Sequence, residues 1–228
     1  MDKLILVGIG TNARLAYYFI QYHKLYDVIG FAVNQQYKNS DKLIDLPVYT
    51  LENLSEEVGH SNFKVFIDVL WNRLNSDRRY IYNYCIDKGY EMANLISPLA
   101  VLRSEITGNN IWIHDHVVIQ HDTVIGSNTA IMQGTLIGAN CKVGPHCFFG
   151  AHAILGGGSI VGEQSFIGIR ATVFDGTIIG KKCIVGACTP VKRNMPDFSK
   201  YATSSDVVIK QYSEDEICEK LMYKLNKR

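Results

Sequence analysis

From Ile113 onward every sixth residue is a bulky aliphatic or a phenylalanine: Ile113, Ile119, Ile125, Ile131, Ile137, Val143, Phe149, Leu155, Val161, Ile167, Val173, Ile179, Val185 and Val191. Four residues after each of these, as far as Thr189, stands a small or short-branched residue, among them Val117, Thr123, Thr135, Cys141, Cys147, Ala153, Ser165 and Cys183. A helix repeats its apolar stripe every 3.6 residues and a strand every two. A strict period of six therefore requires a repeated tertiary unit. Hexads of this kind read as a parallel β-helix, in which the aliphatic and the small residue both point into a narrow triangular core. Three hexads make one coil, so residues 18 apart stack on the same face, about 4.8 Å from one another.

The pattern before the repeat is different. Residues 3–10 (KLILVGIG) read as a buried strand, 13–23 as a helix and 27–33 (DVIGFAV) as a second strand. A strand over 64–70, a helix around 77–88 and the segment 91–96 follow. Strands alternating with helices predict a small Rossmann-like parallel α/β domain over 1–97. Pro98 breaks its last strand, and the boundary falls between Ser97 and Gly108. The β-helix then occupies 106–196. In the extension 197–228, Ser213-Glu214-Asp215-Glu216 has the form of a capping box. It predicts an amphipathic helix over 213–227 that closes the open end of the solenoid.

Composition narrows the function classes. The 228 residues carry 23 Lys+Arg and 22 Asp+Glu, a net charge of +1 with no basic stripe, so nucleic acid is not an expected partner. No apolar run reaches the roughly 18 residues of a membrane span. No signal-peptide pattern precedes the first strand, and the expected location is cytoplasmic. None of the six cysteines forms a C-x-x-C pair, and Cys141, Cys147 and Cys183 occupy the small inward position of the repeat. They are expected to be buried, reduced thiols.

Gly8-Ile9-Gly10-Thr11-Asn12-Ala13 fits G-x-G-x-x-A between strand and helix, a tight turn that aims backbone N–H groups at a phosphate. A dinucleotide site also wants an acid at the end of the second strand, where this chain has Asn34-Gln35-Gln36, so NAD is not expected. A glycine turn without a ligand and a nucleotide-sugar phosphate near Gly10 and Asn12 both remain open.

A G-x-G α/β domain followed by an uninterrupted hexapeptide β-helix resembles the bacterial nucleotide-sugar acyltransferases, such as the bacillosamine-type N-acetyltransferases and the sialic-acid O-acetyltransferases. The resemblance covers residues 1 to about 196. It implies left-handed crossovers, an exception to the right-handed rule, and a homotrimer with acetyl-CoA lying between neighbouring β-helices. It also implies a UDP- or dTDP-linked sugar held largely by the N-terminal domain. Substrate-binding stretches of the family fall on Gly10, Thr11 and Asn12, on Asn34, and on Trp71 and Asn72. The acetyl-CoA side falls around Gly150, Gly168 and Gly186, with Lys192 and Arg193 placed for the CoA phosphates.

The family carries a His base in a corner that maps here onto Ile137-Gly138-Ala139-Asn140-Cys141, which puts Ala139 where the base belongs. Three explanations compete. His121, in Gln120-His121-Asp122-Thr123-Val124-Ile125-Gly126, copies the family's motif and lies 18 residues before Ala139, one layer away. His146 or His152 can act from other faces, with Asn140 a further candidate beside the gap. Alternatively no protein base is needed, because a neutral sugar amine is already a good nucleophile while a hydroxyl is not. The last explanation favours N-acetylation in surface glycan or lipopolysaccharide synthesis. A sugar O-acetyltransferase and a catalytically silent sugar-nucleotide scaffold are the alternatives. His116 and His121 are five apart, as in the β-helical carbonic anhydrases, but the third ligand's place falls on Tyr80, outside the repeat, and no metal is expected.

Overall fold

The computed structural model of the chain describes residues 1–59, 62–69 and 73–203. Trp71 and Asn72 and the helix expected over 213–227 lie outside them.

The N-terminal layer is a five-stranded sheet of β1 (Lys3–Val7), β2 (Asp27–Val33), β3 (Lys42–Leu43), β4 (Leu46–Thr50) and β5 (Lys64–Ile67), in the order β3-β4-β2-β1-β5. All pairs are parallel except the β3–β4 hairpin. Its helices are α1 (Thr11–His23), α2 (Leu54–Val58) and α3 (Ser76–Asp87). The first strand stops three residues short of the sequence expectation because the chain turns at Gly8, whose φ of +138° suits glycine.

The repeat forms a left-handed parallel β-helix of two-residue strands in three sheets. Sheet I runs from Leu95–Ile96 to Lys200–Tyr201, sheet II from Val101–Leu102 to Pro190–Val191, and sheet III from Val124–Ile125 to Ile178–Ile179. From Trp112 to Val191 pairing is with the residue 18 further on, as in Ala130 with Phe148 and Ile137 with Leu155. The end strands pair 17 apart (Leu95 with Trp112, Val101 with Val118) or 16 apart (Ile184 with Lys200). All fourteen aliphatic positions and all their small partners are buried. The small residues are often hydroxyls because the corner carbonyls need donors: Thr123 Oγ1 donates to Gly138 O at 2.8 Å and Ser165 Oγ to Gly180 O at 2.9 Å. Cys141 and Cys147 make the same contact through sulfur, to Gly156 O and Gly162 O. Leu95–Ile96 and Val101–Leu102 already pair into sheets I and II, so the solenoid begins before the six-residue rhythm does.

The two layers share a core. Trp112, Ala130 and Phe148, on the outer side of sheet I, pack with Leu4, Leu6, Phe31 and Phe66 of the N-terminal sheet and with Ala16 and Ile20 of α1. A buried polar ladder borders this contact. Asn110 Nδ2 donates to Asn128 Oδ1 at 2.6 Å, and Asn128 Nδ2 meets His146 Nδ1 at 2.8 Å. Ile67 N–H donates to Asn110 Oδ1, while the fully buried Arg78 donates to carbonyls of both layers, including Asn110 O at 3.1 Å and Ile67 O. On the opposite side His23 Nε2 lies 2.8 Å from Asp115 Oδ1, which also accepts from Ser97 Oγ.

Candidate active site

At the C-terminal end of the N-terminal sheet, Gly8 and Gly10 turn the chain from β1 into α1. The helix starts at Gly10 with no side-chain cap and no acid in its first turn, so its N-terminal N–H groups are open to an anion. Gly10 and Thr11 are exposed and Asn12 half-buried. Asn34, at the end of β2, donates from Nδ2 to Glu52 Oε1 at 3.0 Å, and Gln35 N–H binds the other carboxylate oxygen at 3.0 Å. An acid thus does stand at the end of the second strand, but it arrives from beyond β4. Motif spacing along β2 could not find it.

In the β-helix each corner has three residues, and the third is in the left-handed region throughout. Every sixth residue from Asn110 through His116, Asp122, Asn128, Gly134, Asn140, His146, His152, Gly158, Gln164, Arg170, Gly176, Lys182 and Cys188 has positive φ. Asn, Asp, His and Gly tolerate that region best. His116, His146 and His152 therefore have a backbone reason to be where they are. His121 does not: it is a middle corner residue, as Ala139 is.

The three candidate histidines sit at three different corners. His121 lies between sheets II and III, in the column His121, Ala139, Gly157, Asp175 and Arg193. Asn140 N–H donates to His121 O at 3.0 Å, which joins the exposed His121 and Asn140 with the half-buried Ala139 in one site. His146 lies between sheets III and I, only 7 % exposed, inside the interdomain ladder. Its Nδ1 accepts from Asn128, and burial, with Arg79 and Arg78 nearby, holds its pKa down to about 4. His152 lies between sheets I and II, exposed, its ring against Gly134 and beside a groove lined by Leu136, Ile154 and Arg170.

The expected acetyl-CoA residues also divide. Gly150, Gly168 and Gly186 open the I–II corners, and their own N–H groups donate to Ile167 O, Val185 O and Tyr201 O of the next coil. A Cβ on Gly150 or Gly168 would lie 2.6 Å from backbone nitrogen of that coil, so close stacking alone requires glycine there. At these corners the amides of Ala151, Ile169 and Ala187 have no hydrogen-bond partner among the described residues. Lys192 and Arg193 stand at the II–III corner, across sheet II from these glycines, with Lys192 Nζ 5.4 Å from the centre of the Phe174 ring.

Two families match the repeat: one described as bacterial transferase hexapeptide (six repeats) over residues 122–157, the other as hexapeptide repeat of succinyl-transferase over 158–189. No curated protein sequence matches the chain. A solved mutant of perosamine N-acetyltransferase from Caulobacter crescentus, in complex with CoA and GDP-perosamine, is 26% identical. That match has a TM-score of 0.78 over 89% of this chain and 94% of the other. The acetyltransferase domain of PglB from Neisseria gonorrhoeae FA1090, with acetyl coenzyme A, is 21% identical with a TM-score of 0.77, over 89% and 96%. WeeI from Acinetobacter baumannii AYE is 17% identical with a TM-score of 0.76, over 89% and 97%. At those two identities the likeness shows the fold. Taken together, the repeat, the two-layer fold and the first match make this chain an acyltransferase of the hexapeptide-repeat type.

Proposed function

We propose that the chain transfers an acetyl group from acetyl-CoA to the amine of a nucleotide-linked amino sugar, in a homotrimer serving surface glycan synthesis. The observation that carries this reading is the likeness, over nearly the whole of both chains, to an N-acetyltransferase holding CoA and a GDP-linked amino sugar. The diphosphate is received by the uncapped start of α1 at Gly10, Thr11 and Asn12, and the rim formed by Asn34 and Glu52 takes the nucleoside. The UDP and dTDP expectation widens to GDP, the nucleotide of that neighbour.

Acetyl transfer takes place at the II–III corner beside Ala139. An alanine side chain there cannot accept a proton, which favours a neutral amine over a hydroxyl as nucleophile. The amine nitrogen bonds to the thioester carbonyl carbon, the tetrahedral adduct collapses, and the CoA thiolate leaves with the proton that nitrogen loses. His121, one layer away, exposed and in the same column, is the imidazole that could instead take this proton.

Free thiol measured with acetyl-CoA and a panel of UDP-, dTDP- and GDP-linked sugars tests the reading. Release is expected with amino sugars and not with their hydroxyl counterparts. Release with hydroxyl sugars alone would favour O-acetylation. A thermal shift with nucleotide sugar but no thiol from any of them would favour a silent binding protein. His121→Asn should leave kcat within about threefold if the thiolate takes the proton, against a loss of about 100-fold or more if the imidazole does.

A further inference from the structure

The II–III corner holds a carboxylate that the acetyl-transfer reading leaves unused. Gly156, Gly157 and Gly158 follow one another in the layer above Ala139, so this stretch of corner has no side chains. From the next layer Asp175 reaches back, and its Oδ1 accepts the Gly157 N–H at 2.7 Å. Its other oxygen has no hydrogen-bond partner among the described residues, and the side chain joins none of the ion pairs found there. A methyl group placed on Gly157 would lie 3.5 Å from Ala139 O and 3.9 Å from Asp175 Oδ1, in ordinary contact with both. Nothing comes within 4 Å of the corresponding positions on Gly158 and Gly176. The corner is therefore a notch with Ala139 as its floor and one free carboxylate oxygen as its roof.

We infer that Asp175 is the acceptor-recognising residue of this site, its free oxygen binding the ammonium group of the sugar. The inference rests on the acetyl-transfer reading and specifies which acceptor the site selects. A carboxylate only accepts hydrogen bonds, so it favours a cationic donor, and such charge-assisted bonds are about twice as strong as neutral ones. The bound ammonium first gives one proton to solvent. The neutral nitrogen then forms its bond to the acetyl carbon, and the C–S bond breaks to release the thiol. Through the adduct, Asp175 stays ionised opposite the positive charge that nitrogen carries until its second proton leaves. The carboxylate positions the amine and stabilises that charge; it is not the base.

Asp175→Asn tests this cleanly, because the amide oxygen still accepts from Gly157 while the charge is gone. The KM for the amino sugar should rise about 10- to 100-fold, with the KM for acetyl-CoA and the melting temperature unchanged. Binding of the neutral N-acetylated product, followed by calorimetry, should not change. An active Asn variant with an unaltered amino-sugar KM overturns the inference and leaves Asp175 as a turn cap. Asp175→Ala, which also loses the Gly157 bond, should show the same KM change with a lower melting temperature. A wild-type protein that binds the amino sugar more tightly than its hydroxyl counterpart, yet releases no thiol, refutes the acetyl-transfer reading and not the role of Asp175. Equal binding of the two refutes that role.

Discussion

Asp68 follows β5 directly, 4 % exposed, with neither carboxylate oxygen hydrogen-bonded among the described residues. Burial, only partly offset by the Arg78 guanidinium, pushes its pKa up to about 7 from an ordinary 3.8. The folded chain thus binds a proton that the unfolded chain has released over this interval. The contribution of Asp68 to folding stability should fall by about 1.4 kcal/mol for each pH unit between about 4 and 7, and be flat above. His114 and His146 have the opposite sign. Burial lowers both to about 4, so their contribution is complete above the ordinary 6.5 and is lost as pH falls toward 4. Comparing wild type with Asp68→Asn cancels the histidines. In urea denaturation the variant's relative stability should improve by roughly 3 kcal/mol between pH 5 and pH 8. A gap that does not change with pH would mean that Asp68 is ionised throughout.

At the scale of elements, the corner geometry sets the constraint. Gly134 has φ of +68°, and a Cβ there would come within 2.5 Å of the His152 ring. Gly134→Ala should therefore cost about 1–2 kcal/mol from the left-handed backbone alone, and should swing the imidazole off the corner. Thermal denaturation reads the first effect and the His152 ring NMR signals the second. The coil itself was legible in the residues: the six-residue rhythm placed each inward side chain from Ile113 to Val191 correctly. Hydropathy says nothing about φ, so the second six-residue rhythm, from Asn110 to Cys188, passed unseen, and with it the backbone reason for His116, His146 and His152. The expectation that Ala139 stands in the base position comes from the family resemblance, and counting along the chain gave its spacing from His121, whose carbonyl the structure joins to the Asn140 N–H. The interdomain ladder was not legible, since Asn110, Asn128 and Arg78 look like surface residues until two layers meet over them. Asp175 was hidden for a related reason: its partner Gly157 is a full coil away, and glycine carries no side chain to mark a contact.

On the scale of the whole molecule, the described residues cover one face of the triangular prism and leave two uncovered. Sheet I is packed by the N-terminal layer, whereas sheet II exposes Val101, Leu136 and Ile154, and sheet III exposes Val124, Ile160 and Ile178. Rows of exposed aliphatic side chains along two adjoining faces mark interaction surfaces rather than ordinary solvent-facing sheet. A cyclic assembly of more than two copies needs two different patches on each protomer, each meeting the other patch of a neighbour, and sheets II and III supply such a pair. This agrees with the homotrimer implied by the family resemblance. In the proposed trimer the expected acetyl-CoA residues need not share one corner, since the Gly150 corner of one copy would face the Lys192 corner of the next. Light scattering should give a mass of three times 25.6 kDa for the wild type. Ile154→Glu or Ile160→Glu, each burying a charge in the interface, should reduce that mass to one chain without altering the circular dichroism spectrum, and thiol release should disappear with it. An active wild-type monomer would sink this arrangement, because the two acetyl-CoA corners could then never meet.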